Sequence, residues 1–319
     1  MAKPPSIHPQ FSTIRPRCTF IAGPTAVGKS EIAVSLAEQL GGEIISADSM
    51  QVYRRLDLGT AKPSPADRAR VPHHLIDILD LNESFDAAQF VRRAQQAVAE
   101  IQARGQVPIF CGGTGLYFKA YLEGLGEAPP ADAKVRAELE AMPLENLLAE
   151  LRERDPAAFE KIDRKNLRRV VRALEVIRLT GKPFSAQRAE WKPDSASRDP
   201  ESRFLCLTRP SFDLHARINA RVDAMFQRGL VAETRDLLQR GLMENKTAMQ
   251  AIGYRQVVEH LRGERSLPET IELVKIRTRQ FAKRQLTWFR AQKNLAWMEL
   301  KPDESAENIA VSLCRQFQS

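Results

Sequence analysis

The sequence predicts an α/β fold: a parallel sheet covered by helices, interrupted by an all-helical block and completed by a helical C-terminal region. Three observations carry this. In the first part of the chain, short apolar runs alternate with segments of helical periodicity, as in strands joined by crossover helices. From Ala131 to Arg188 the periodicity is helical throughout. After that block one more apolar run, Arg203 to Leu207, precedes a second helical stretch from Asp213 to Lys293.

The elements follow in order. Cys18 to Ala22 reads as a strand ending in a Gly-rich turn. Lys29 to Leu40 is a helix, with Ile32, Ala33, Leu36, Ala37 and Leu40 on one face. Glu43 to Ala47 is a second strand, ending at Asp48, and His74 to Ile78 a third. Asp86 to Arg104 is a helix stopped by Gly105, and Val107 to Cys111 is a strand followed by Gly112-Gly113-Thr114 and a short helix. Lys192 to Ser202 is polar and reads as a loop. The expected division is a core of residues 1–128 and 203–319, with a helical insertion at 129–202.

Composition bounds the function. Hydrophobic residues make up 43% and charged residues 28%, as in globular proteins. No apolar run approaches the length of a membrane span. Met1 to Arg17 has no apolar segment before a cleavage site, so a soluble, cytoplasmic protein is expected, with a weak organelle address as the alternative; a monomer is expected as well. Cys18, Cys111, Cys206 and Cys314 are too scattered for a CxxC metal site or a disulfide framework, and read as buried free thiols. Of the net charge of +8, residues 201–319 carry +6, from 20 Lys/Arg against 14 Asp/Glu. A polyanion surface is therefore sought in the last third.

Gly23-Pro24-Thr25-Ala26-Val27-Gly28-Lys29-Ser30 fits G-x-x-x-x-G-K-[ST], and it lies between a strand and a helix. Glycines let the backbone curl so that several N–H groups face one anion. The helix adds its positive N-terminal end, Lys29 a full charge, and Ser30 a hydroxyl able to reach Mg2+. The sheet is thus expected to be a P-loop NTPase-like core. Asp48 is the one carboxylate expected at the C-terminal edge of the sheet near this loop. It suits a metal ligand or a general base; a turn or helix-capping carboxylate is the alternative.

Two stretches are rich in cations. Arg164, Lys165, Arg168, Arg169 and Arg172 cluster in the inserted block. Lys275, Arg277, Arg279, Lys283, Arg284, Arg290 and Lys293 run through the last long helix, which has no Asp or Glu from 275 to 293. A phosphate backbone would reward both, while solvated helix faces are the competing explanation. Arg217 and Arg221 share a helix face and could close over an anion or be a surface pair. His73-His74 has no metal-ligand partner at useful spacing, and no nucleophile–His–acid set is apparent.

Taken together, these residues resemble the tRNA dimethylallyltransferases, also called tRNA isopentenyltransferases, over nearly the whole chain. The pieces are Gly23 to Ser30, Asp48-Ser49-Met50-Gln51-Val52-Tyr53, Gly59 to Pro63, Pro72 to Asp77 and Gly112 to Tyr117. Arg172 to Glu175, Arg217 to Met225, Gly253 to Gln256 and Lys283 to Arg290 complete them, in the family's order. Lys165-Asn166 departs from the Asn-Asp common in the family, which touches only local RNA contacts. The chain reaches Ser319 without Cys/His pairs, so it resembles the bacterial form.

The resemblance implies Mg2+-dependent transfer from dimethylallyl diphosphate to the N6 amine of the adenosine just 3′ of the anticodon, in tRNAs reading codons that begin with U. It implies Asp48 as base, with Lys29, Thr114 and Arg221 also catalytic. Residues 23–30 with Arg217 and Arg221 would hold the diphosphate, and Ser30 the metal. It implies tRNA contacts at Asp48, Ser49, Met50, Gln51, Thr114, Arg136, Arg168, Arg169, Arg172, Gly253, Tyr254, Arg255, Lys283, Arg284 and Arg290, gripping the anticodon stem-loop. Rival readings are a P-loop kinase acting on a small alcohol or nucleotide, an RNA-dependent or motor ATPase, and a free-nucleotide isopentenyltransferase. The ATPase lacks the expected acidic strand end at Cys111, and the free-nucleotide enzyme has no use for the inserted block and basic helix.

Overall fold

Strand β1 (Thr19–Ala22) is buried at all four positions, the pattern of a parallel strand covered on both faces. Helix α1 (Lys29–Leu40), β2 (Gly42–Ala47), α2 (Pro65–Arg70), a two-residue β3 (His73–His74), α3 (Ala87–Ala103), β4 (Val107–Gly112) and α4 (Gly115–Glu123) follow. The inserted block holds α5 (Ala133–Glu140), α6 (Leu144–Arg154), α7 (Pro156–Lys161), α8 (Leu167–Thr180) and α9 (Phe184–Gln187). Next come β5 (Arg203–Thr208), α10 (Ser211–Gln227), α11 (Leu230–Gln239), α12 (Tyr254–Leu261), α13 (Leu267–Arg290), β6 (Ala296–Glu299) and α14 (Ala306–Gln318). The computed structural model describes residues 18–125, 128–187, 203–292 and 295–318. Lys293 and the loop expected at Lys192 to Ser202 lie outside the described residues.

The six strands form one parallel sheet in the order β3-β2-β4-β1-β5-β6. Because β4 lies between β1 and β2, the loops leaving β1, β2 and β4 emerge side by side at the C-terminal edge. This is the place where open α/β sheets bind ligands. Register sorts the core by face. Phe20 pairs with Phe110 on one side and Phe204 on the other, and the rings of Phe20 and Phe204 pack with Phe118, itself edge-on to Phe289. Ile21, Ile109, Leu205 and Leu207 face the opposite way, into a cluster with Ile32, Leu36, Ile309 and Leu313 of α1 and α14.

The chain divides into two compact units, Met1–Phe118 with Arg198–Ser319, and Lys119–Ser197. The second has its own core of Leu139, Leu147, Leu151, Val170, Leu174 and Ile177. Within it, Glu175 is fully buried and accepts from Asp132 N at 2.9 Å, Arg136 at 2.8 Å and Arg172 at 2.6 Å.

Three sequence expectations need correction. The third strand is only His73–His74, because the chain then turns through Leu75 and Asp77 at positive φ and continues as a single bridge between Tyr53 and Leu79. The helical stretch from Asp213 is four helices and a 3-10 turn, separated at Gly229, Gly241, Gly253 and Gly263, all with positive φ. β6 and α14 were not anticipated: β6 is a short edge strand whose residues are mostly exposed, so it lacks a strong apolar signal. All four cysteines are buried and free, as expected. No helix among the described residues is long and apolar enough to cross a membrane.

Candidate active site

The loop from Gly23 to Ser30 leaves β1 and runs into α1. Gly28, at φ 109°, caps the helix without a side-chain partner for its first amides. Such amides, with the helix dipole, favour an anion. Ala26 sits at φ 64°, a left-handed geometry that costs an alanine about 1–2 kcal/mol. The loop's carbonyls are drawn onto cations. Pro24 O accepts from Lys29 Nζ at 2.6 Å, Ala26 O from Arg217 Nε at 3.0 Å, and Val27 O from Arg209 Nε at 2.8 Å. Arg209 is itself fixed by Asp213 at 2.8 Å and Lys301 O at 3.0 Å.

Asp48 follows β2. Its Oδ1 accepts from Met50 N at 2.8 Å and Gln51 N at 3.4 Å, so the turn role open in the sequence is present. Its Oδ2 has no hydrogen-bond partner among the described residues, which leaves that oxygen available. Burial pushes the Asp48 carboxyl above the usual carboxylate range, against the opposing pull of those two amides and Lys29. Burial also lowers Lys29 to about 8, with Arg221 adding to the fall and Asp48 opposing it. Thr114, on the loop after β4, accepts from Ser49 N at 3.2 Å.

Lys29, Ser30, Asp48, Gln51, Arg221 and Gln285 line one cavity. Asp48, Thr25, Arg221 and Phe281 also line a neighbouring cavity that includes Thr114, Met225 and Val274. Asp48 therefore stands on a wall common to both. Arg221 is half-buried, has no hydrogen-bond acceptor among the described residues, and is lowered by burial. Arg217 is instead engaged by Ala26 O, with Glu31 at 3.8 Å.

Ser30 and Asp48 offer oxygen donors to one cavity, and the described residues contain no group of three or more His, Cys, Asp or Glu able to hold a metal. That donor set fits Mg2+, which takes one or two protein oxygens and completes its shell with substrate phosphates and water.

Of the positions expected at RNA, several side chains are engaged inside the protein. Gln51 Oε1 accepts from Ser46 Oγ at 2.9 Å, and its Nε2 donates to Thr60 O at 3.2 Å. Tyr254 is buried, donates to Glu233 at 2.6 Å and accepts from Gly59 N at 3.1 Å, bracing the Gly59–Pro63 segment. Arg136 and Arg172 clasp Glu175. On α13, Lys275 pairs with Asp223 and Glu272 at 2.8 Å, and Arg279 donates to Asn219. Arg169, Arg255, Lys283, Arg284 and Arg290 are exposed, as is Arg168; Ser49 and Met50 are half-buried beside Asp48. Lys283, Arg284 and Arg290 have no acidic partner among the described residues. His74 Nε2 lies 2.6 Å from Glu43, in keeping with a structural histidine.

Sequence reasoning missed Arg209 and Gln285. Arg209 directly follows the strand β5, so its place at the same sheet edge was the available signal. Gln285 had none beyond its place among cations.

Residues 51–292 match the family described as IPP transferase. The chain is 46% identical over 279 residues to tRNA dimethylallyltransferase 1 of Citrifermentans bemidjiense, covering 88% of this chain and 90% of that one. The crystal structure of full-length tRNA isopentenylpyrophosphate transferase from Bacillus halodurans is 39% identical, with a TM-score of 0.68 over 95% of this chain and 97% of that one. A eukaryotic dimethylallyltransferase acting on tRNA superposes with a TM-score of 0.78 at 28% identity, over 94% of this chain and 79% of that one. With its P-loop at the edge of a parallel sheet and a match spanning three quarters of its length, the chain belongs to the IPP transferase family.

Proposed function

We propose that this protein transfers the dimethylallyl group of dimethylallyl diphosphate to the N6 amine of the adenosine immediately 3′ of the anticodon, in tRNAs reading codons that begin with U. The observation that carries the reading is the placing of Asp48 on the wall common to the P-loop cavity and its neighbour. One cavity would hold the leaving diphosphate and the other the reacting groups.

The bond that breaks is C–O, between the allylic carbon and the diphosphate. An allylic carbon tolerates developing positive charge, so the main task is to stabilise the departing anion. The α1 amides, Lys29 and Arg221 would do this. Lys29 exchanges Pro24 O for a phosphate oxygen. Ser30 would hold Mg2+, which when bound neutralises diphosphate charge. The adenine leaves its stack to reach the sheet edge. Its amine is a weak nucleophile because the lone pair feeds the ring. Asp48 Oδ2 accepts the amine proton as the C–N bond forms, and a carboxyl raised by burial is better matched to that role than a solvated one. Exposed Lys283, Arg284 and Arg290 of the first unit, and exposed Arg168 and Arg169 of the second, would each meet tRNA phosphates. The reaction belongs in the cytoplasm, where its tRNA substrates are.

The test is incubation with tRNA and either dimethylallyl diphosphate or ATP. The expected result is prenyl transfer to adenosine and release of diphosphate. Phosphoryl transfer from ATP, with no prenyl transfer, would establish the kinase reading instead.

A further inference from the structure

Gln285 lies on α13 between exposed Arg284 and partly buried Leu286, and is itself buried. Its side chain reaches two separate loops. Oε1 accepts from the P-loop amide Thr25 N at 2.8 Å, and Nε2 donates to Gly113 O, after β4, at 3.0 Å. The two partners set the amide's orientation, since only its oxygen accepts and only its nitrogen donates. The approach is close: a Cβ on Gly113 would stand 2.2 Å from Nε2, so glycine there makes the approach possible.

The link continues towards Asp48. Thr114 follows Gly113, donates from its backbone to Ala47 O at 3.2 Å, and takes Ser49 N on its hydroxyl at 3.2 Å. Ala47 and Ser49 flank Asp48. One buried side chain thus connects the P-loop to the segment carrying the carboxylate. An apolar residue could fill this space, whereas a buried amide is stable only with both ends paired.

We infer that Gln285 is a positioning residue: it sets the separation between the diphosphate cradle and Asp48, so that the allylic carbon and the amine meet in reacting geometry. This rests on the transfer reaction proposed above. Lys29, the α1 amides and Arg221 would still bind the diphosphate without it, so its loss acts on rate rather than on affinity. A displacement of about 1 Å between reacting groups can cost on the order of a hundredfold in rate.

The experiment measures kcat, the affinity for dimethylallyl diphosphate and the melting temperature of Gln285→Ala and Gln285→Met. The expected result is kcat lowered by about 10- to 100-fold in both variants, with affinity changed by less than about threefold. Gln285→Met keeps the packing and removes both hydrogen bonds, so it decides the matter if Gln285→Ala fails to fold. Full kcat in Gln285→Met would overturn the inference, because packing alone would then suffice. So would a loss of affinity with kcat intact, which would make Gln285 part of the diphosphate cradle only. In both cases the wild type still transfers the prenyl group. A wild type that transfers nothing removes the proposed reaction, and the positioning role with it.

Discussion

The P-loop cradle and the basic stretches use cations in different ways. Around the loop, Lys29, Arg209 and Arg217 each meet a backbone carbonyl, and Arg221 faces the cavities. Along α8 and α13 the cations divide by helix face. Arg172 turns to Glu175 and joins Arg136, while Lys275 and Arg279 turn to α10. Arg169, Lys283, Arg284 and Arg290 are exposed. A short loop of fixed geometry assigns each residue its place. A helix only assigns a direction, and the packing partners decide which directions are internal.

The largest expected effect on stability tests the internal class. Glu175 is buried, while its partners Arg136 and Arg172 keep 40% and 31% of their side chains exposed. Removal of the charge therefore strands two partly hydrated guanidinium groups. Glu175→Gln should cost about 2–3 kcal/mol of unfolding free energy, read by denaturant titration. Burial tends to raise the Glu175 carboxyl, but Arg172, Arg136 and the Asp132 amide outweigh it, so its pKa is lowered. Its contribution is thus present above the ordinary carboxylate pKa and is lost as pH falls through the lowered value. Affinity for dimethylallyl diphosphate should not change. An unaltered unfolding curve would remove the distinction between internal and exposed arginines.

The next prediction separates the two faces of α13. Replacing Lys283, Arg284 and Arg290 with Gln should flatten the slope of log tRNA affinity against log salt by about 2–3, at roughly 0.7–0.9 for each phosphate no longer neutralised. Replacing Lys275 and Arg279 should leave the slope as it is and loosen the packing on α10. Equal slopes in both variants would show the exposed face to be merely solvated.

A smaller effect concerns the cradle itself. Lys29 stands at about 8 in the free protein, and a bound diphosphate would raise it. Affinity for dimethylallyl diphosphate should be full below that pH and fall as pH rises through it, by up to about tenfold per unit. Lys29→Ala should bind weakly at every pH, without that fall. A flat profile in the wild type would mean that Lys29 does not meet the diphosphate.

How much was legible in the sequence follows the same division. The strand–loop–helix around Gly23 to Ser30 and the position of Asp48 were readable, because motif spacing and strand ends imply backbone geometry directly. The edge strand β6 was not, since its residues are mostly exposed and its pairing depends on β5, some ninety residues earlier. Nor could Tyr254 be told from a surface residue: its burial depends on Glu233 and Gly59, which only the folded chain brings near. Gln285 was hidden for the same reason. In a run of cations an amide reads as one more solvated side chain until the tertiary structure shows which way it points.

The proposed reaction turns on Asp48, between the two cavities, taking the proton from the attacking amine. The direct measurement is the single-turnover rate of prenyl transfer by Asp48→Asn, with tRNA and dimethylallyl diphosphate both saturating. The substitution keeps the shape and the turn-forming oxygen but removes the basic one. The rate should fall by at least about a hundredfold, with tRNA affinity little changed. A near-normal rate in a folded, fully bound Asp48→Asn enzyme would rule Asp48 out as the base.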